Sequence, residues 1–178
     1  MTTKDDGKRQ ERVAVIGYDE EGRAHAKSLK AHGLDVVVAM LPGGMSWVNA
    51  VRDGFRPVRA WEAARGADVI AMVLPESEQE LVYWEEIAPV AEPGAILVFT
   101  HGCHLEADQL PADIDVASVT PQSGGSCLVT VHQDATGRAR ARAFAYAEAI
   151  GESVPRSRES RTRLVSASDP FPHWRKVL

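Results

Sequence analysis

The segment Arg12-Val13-Ala14-Val15-Ile16-Gly17 constrains the fold most. It is a run of small and β-branched apolar residues, too short for a helix, that ends on glycine. Such a run is a strand buried on both faces that enters a tight turn. Glu20–Ala31 follows with helical spacing, with Ala24, Leu29 and neighbouring alanines expected inward and Gly33 as the stop. The alternation then continues. Residues 35–40 (Val36-Val37-Val38) predict a second strand, 46–53 a short helix, 67–74 (Asp68-Val69-Ile70-Ala71-Met72-Val73) a third strand and 77–90 a helix. Residues 94–99 and 115–119 read as further strands and 126–131 as a candidate edge strand. An alanine-rich helix over 136–150 begins at Asp134 and ends at Gly151. This order predicts an α/β domain, a mainly parallel sheet with helices on both faces. The loops that matter for function lie beyond the carboxyl ends of its strands.

At 178 residues the chain fits one domain with a real core. A composition of 44% hydrophobic and 25% charged residues excludes a disordered or collagen-like chain, and a net charge of −5 opposes nucleic-acid binding. Cys103 and Cys127, with no signal peptide in view, predict reduced thiols and a cytoplasmic setting. No apolar run is long enough to span a membrane. Residues 1–11 read as a flexible leader, 12–151 as the domain and 152–178 as a tail of different character. The tail carries Arg156, Arg158, Arg161 and Arg163, then Phe171 and Trp174. It is read either as a surface-packed terminus or as an arm that docks on a neighbouring subunit.

Ordered strings across residues 13–151 carry a family resemblance. They are Val13-Ala14-Val15-Ile16-Gly17-Tyr18, Gly22-x-Ala24-His25-Ala26, Gly43 with Ser46-Trp47, Ala67-Asp68-Val69-Ile70, Leu74-Pro75, Glu86-Ile87-Ala88-Pro89, His101-Gly102 and Val131-His132-Gln133-Asp134-Ala135-Thr136-Gly137. In this the chain resembles the N-terminal, NADPH-binding domain of ketol-acid reductoisomerase. The resemblance implies a Rossmann-like doubly wound fold. It also implies a cofactor site lined, if one is retained, by Gly17, Tyr18, Gly22, Ser46, Pro75, Gln79, Gly102 and Gly125, with His101 in the place of the family's active-site histidine.

The departures fall on functional positions. The family's second fingerprint glycine, which lets the backbone approach the pyrophosphate, is Asp19 here, and the polar neutral residues after it are Glu20 and Glu21. Carboxylates at a helix N-terminus stabilise the helix by about 0.3–1 kcal/mol where a phosphate would otherwise sit. After the second strand, the family's 2′-phosphate-binding arginine and first serine read Leu41 and Gly44, and only Ser46 survives. No acid ends that strand to select NADH. The resemblance places the family's magnesium-binding carboxylates in a separate C-terminal helical domain, and the family's lysine near the end of the alanine-proline stretch is Gln122 here. The full reductoisomerase reaction is therefore not expected of these residues, and no metal site is.

Histidine titrates near neutrality and suits proton transfer. The leading expectation is a small-molecule biosynthetic enzyme doing non-redox acid–base chemistry, such as isomerisation, cyclisation or elimination. His101 acts as acid or base, Glu76 or Glu20 assists, and no cofactor is bound. Asp19, Glu20, Glu21 and Glu76 would give a cleft suited to a cationic or hydroxyl-rich substrate. The alternatives are an NADPH- or NADH-dependent reductase of a changed carbonyl or imine substrate, and a non-catalytic binding or partner subunit. Cys103 with His104 suggests a thiolate pair or a metal site, although adjacent side chains converge poorly on one ion. His25 reads as packed against the sheet rather than chemical. A homodimer is expected, since the relatives cover this domain with another.

Overall fold

The computed structural model describes residues 10–103, 105, 110–122 and 126–151. The leader up to residue 9, His104, Gly125 and the tail from 152, with Phe171 and Trp174, lie outside the described residues. Six strands form one sheet: β1 (Arg12–Ile16), β2 (Asp35–Ala39), β3 (Val69–Met72), β4 (Ile96–Phe99), β5 (Asp115–Gln122) and β6 (Ser126–Gln133). Their order is β2-β1-β3-β4-β5-β6. All pairs are parallel except the last, where β6 lies antiparallel on β5 as the edge strand. An isolated parallel bridge from Ala39 to Val58 extends the sheet beyond β2. The chain leaves β1 for β2 on one side and returns to β3 on the other. The crevice of such a sheet lies at that reversal, above the carboxyl ends of β1 and β3.

The period of two along each strand sorts side chains to two cores. Val13, Val15, Val69, Ala71, Ile96 and Val98 face Ala26 and Leu29 of α1 (Glu20–Ala31) and Ala143, Tyr146 and Ala147 of the last helix. Ala14, Ile16, Ile70, Met72, Leu97 and Phe99 face the opposite side. There they meet Ala60, Ala63 and Ala64 of α3 (Ala60–Ala64), and Tyr83 and Ile87. Parallel central strands buried on both faces need the unbroken apolar runs seen in the sequence.

Four details differ from expectation. Ala24 faces solvent, and the inward stripe of α1 is Gly22, His25, Ala26 and Leu29. The helix expected over 77–90 is α4 (Glu76–Val82) continued by a π-helical turn, Tyr83–Ile87. There the Ala88 N–H donates to the Tyr83 carbonyl at 2.8 Å, so that Tyr83 and Ile87 are both buried. The last helix, α5 (Ala139–Ala149), starts later than Thr136. Thr136 is tied down by Asp115, which accepts both its N–H (2.9 Å) and its hydroxyl (2.6 Å), and Asp134 caps the helix from outside by accepting the Ala139 N–H. The short α3 was not expected, because five residues show no periodicity. The second helix, α2 (Met45–Arg52), falls within a residue of its expected place. No described helix is long and apolar enough to cross a membrane.

Candidate active site at the strand ends

The turn after β1 is built by two glycines whose absence of a side chain is structural. Gly17 has φ +105°, and a Cβ there would lie 2.0 Å from the Val73 carbonyl oxygen. A Cβ on Gly22 would lie 2.3 Å from the Gly17 carbonyl oxygen. Glycine is required at both wherever β1, β3 and α1 meet this closely. Between them Asp19 is the N-cap of α1, and its Oδ1 accepts the Gly22 N–H at 3.0 Å. One of the free N–H groups of that terminus is thus satisfied from within the chain.

The side chain of Tyr18, one of the residues named for a cofactor lining, packs between α1 and the end of α2. Its ring is buried edge-on to Phe55, and its hydroxyl donates to Asp53 Oδ2 at 2.9 Å. Asp53 also takes Arg23 at 2.5 Å and Lys27 at 3.0 Å. Those contacts, Arg23 first, hold its carboxyl well below the usual range. This cluster locks α1 to the end of α2 and was not anticipated.

His101 stands just beyond β4 with its side chain 40% exposed, and its Nε2 lies 2.9 Å from Glu21 Oε2. A carboxylate only accepts, so Nε2 carries the hydrogen, which leaves Nδ1 as the ring nitrogen that can exchange a proton. The partner is therefore Glu21. Glu20 and Glu76, the residues first expected to assist, are exposed at the starts of α1 and α4. The signal was present in the sequence: Glu21 and His25 are four residues apart and share one helix face, and His25 was already read as inward.

Two buried polar atoms without partners flank this site. Gln79 is fully buried, and its amide N–H₂ donates to the Leu74 carbonyl at 3.1 Å while Oε1 has no partner; the Thr100 hydroxyl, beside His101, is likewise unpaired. Pro75 caps α4, Gly102 has φ +88°, and Ser46 is half-buried in the first turn of α2. Burial pushes the Cys103 thiol up to about 11, which disfavours its thiolate. Among the described residues no group of three or more His, Cys, Asp and Glu is placed to hold a metal. After β2, Leu41 (72% exposed) and Met45 (71%) stand in water. A groove between α2 and α3, lined by Trp47, Val51, Phe55, Arg56, Arg59 and Glu62 among others, contains none of the residues named for the crevice.

The sequence profile of the acetohydroxy acid isomeroreductase family, NADPH-binding domain, matches residues 8–154. The chain belongs to this family. An NADH-preferring ketol-acid reductoisomerase from an uncultured archaeon is 32% identical, with a TM-score of 0.72. The match covers 79% of this chain and 49% of that one, so the chain spans about half the length of this relative. Two more distant structures share the fold. A 3-hydroxyisobutyrate dehydrogenase from Salmonella typhimurium has TM-score 0.64 and 18% identity over 81% of this chain and 55% of its own. The N-terminal domain of HmdIII from Methanocaldococcus jannaschii has TM-score 0.65 and 14% identity over 80% and 97%. Within the isomeroreductase family, then, this chain has the fold of the NADPH-binding domain and places a carboxylate beside the histidine that follows β4.

Proposed function

We propose that the crevice performs proton transfer on a small molecule, with His101 as the acid–base group and Glu21 as the carboxylate that orients it. The observation that carries this is the 2.9 Å contact between His101 Nε2 and Glu21 Oε2 at the strand ends. With Nε2–H committed to Glu21, Nδ1 takes a proton from the substrate, and the carboxylate balances the imidazolium that forms. Returning that proton to another substrate atom completes an isomerisation, cyclisation or elimination with no external electron source. The acidic rim of Asp19, Glu20 and Glu76 favours a cationic or hydroxyl-rich substrate.

The residues present do not fit a nicotinamide dinucleotide held in the family's manner. Asp19 puts a carboxylate on the helix terminus that would meet the pyrophosphate, and its Oδ1 already accepts the Gly22 N–H. The position expected to grip a 2′-phosphate is the exposed, uncharged Leu41. A second reading, an NADPH- or NADH-dependent reductase of a changed carbonyl or imine substrate, is favoured by the family match and by the NADH-preferring relative.

The test is incubation in D₂O with a panel of small hydroxy ketones and amino ketones, read by NMR. Deuterium incorporation beside the carbonyl that falls about 100-fold or more in His101→Ala supports the reading. Equal incorporation by His101→Ala, or none with any compound, overturns it. Turnover that requires NADPH or NADH selects the second reading.

A further inference from the structure

The carboxylate that meets His101 also reaches inward. Glu21 Oε1 is buried without a hydrogen-bond partner and lies 3.9 Å from His25 Nε2. His25 is 7% exposed, and its Nδ1 lies 3.1 Å from the Tyr146 hydroxyl on α5, the two rings meeting edge-on at 6.0 Å. Ser28 of α1 donates to the Ala149 carbonyl at 2.7 Å and keeps the two helices in register. Four side chains thus form a line from the buried α1–α5 contact to the crevice: Tyr146, His25, Glu21 and His101.

The chemistry of that line selects one arrangement. Burial, and then the charge of Glu21, raise the Tyr146 phenol, which stays protonated. Burial holds His25 down to about 4, so its ring is neutral, with Asp19 acting in the opposite sense and His101 in the same one. If the phenol donates to Nδ1, the ring presents Nε2–H to the carboxylate oxygen. The other tautomer would turn a nitrogen lone pair toward it, which is repulsive. At 3.9 Å the contact is ion–dipole rather than a hydrogen bond, in a setting where little water screens it.

We propose that His25 and Tyr146 are positioning residues: Tyr146 fixes His25 as the Nε2–H tautomer, and that N–H holds the inner oxygen of Glu21 so that the outer oxygen stays on His101. The inference rests on the reading of His101 and Glu21 as the reactive pair. Loss of the Tyr146 hydroxyl frees the His25 ring to exchange tautomers, and the Glu21 side chain then loosens from His101.

The test is NMR of the full chain with ¹⁵N-labelled histidine at neutral pH, with circular dichroism reporting the fold of each variant. His25 is expected as the Nε2–H tautomer. Tyr146→Phe, which keeps the ring packing, should mix the His25 tautomers and speed solvent exchange of the His101 Nε2–H by about threefold or more. His25→Leu should do the same to His101, and His25→Gln, which offers an amide N–H, should restore slow exchange. A His25 Nδ1–H tautomer in the unmodified chain overturns the inference, and so does a folded Tyr146→Phe with unchanged His101 exchange. If the variants unfold, the tautomer in the unmodified chain decides. Failure of the function reading is distinguishable: His101→Ala then leaves turnover unchanged while His25 still shows Nε2–H.

Discussion

At the amino-terminal ends of the strands, Arg142 donates to the carbonyls of Gly94 (2.8 Å) and Asp68 (2.5 Å) and lies 3.6 Å from the fully buried Asp115. Asp115 in turn accepts from Thr136 twice. At the carboxyl ends, His101 is exposed on one side, and Glu21 Oε1, Gln79 Oε1 and the Thr100 hydroxyl are buried without partners. The lower cluster ties α5 and the turn before it to the starts of β3, β4 and β5. Its bonds are spent on the fold. The upper cluster leaves buried polar atoms without hydrogen bonds beside a partly exposed histidine, and each such atom carries a desolvation cost that a well-packed alternative would avoid. Unmet hydrogen-bonding capacity of that kind is where a bound molecule gains most.

The contrast breaks most easily at its lower end. Asp115→Ala should cost about 3–5 kcal/mol in chemical denaturation, because it leaves Arg142 with only the half-exposed Glu11 at 3.8 Å as a charge partner and frees Thr136. A loss below about 1 kcal/mol would mean that the lower cluster is not structural.

Acid pH comes next. Burial holds His25 and His132 each down to about 4. The unfolded chain, with ordinary histidines, therefore binds more protons between about pH 6.5 and 4. Stability should fall as pH drops through that window, by at most about 3 kcal/mol per histidine, and then level off with respect to these two groups. His25→Gln should flatten part of the slope in thermal melts taken across the window.

At the upper end, His101→Ala and Glu21→Gln should change stability by less than about 1 kcal/mol, since the pair is half-exposed. Both should still cut proton-exchange turnover strongly. A large stability loss from His101→Ala would show that the ring braces the loop. The smallest effect is expected from Asp19→Gly, a few tenths of a kcal/mol in melting, because glycine is also a good N-cap. The same change restores the family's second fingerprint glycine, and it should raise affinity for NADH or NADPH in a binding titration.

The fold was legible because its signals are local and repeated. Val13-Ala14-Val15-Ile16 and Val69-Ile70-Ala71-Met72 are buried strands whatever they pack beside, and Gly33 stops α1 as its position predicts. The start of α5 was misplaced because Thr136 is held by Asp115, a residue far off in sequence. The candidate site was legible at His101, which follows a recognisable strand. Its partner takes one further step: Glu20 and Glu21 are alike in charge and differ only in helical face, and the four-residue spacing from Glu21 to His25 is what separates them. The packing of the Tyr18 side chain is hard to read for a similar reason. Its neighbours Gly17 and Gly22 belong to the crevice turn, while its own side chain answers to Asp53 across the chain.

The proposal that His101 and Glu21 work without a bound dinucleotide is tested most directly by calorimetric titration of the unmodified chain with NADPH and with NADH. No saturable binding tighter than about 1 mM is predicted for either. Binding of either in the micromolar range, with a matching rise in melting temperature, would contradict it.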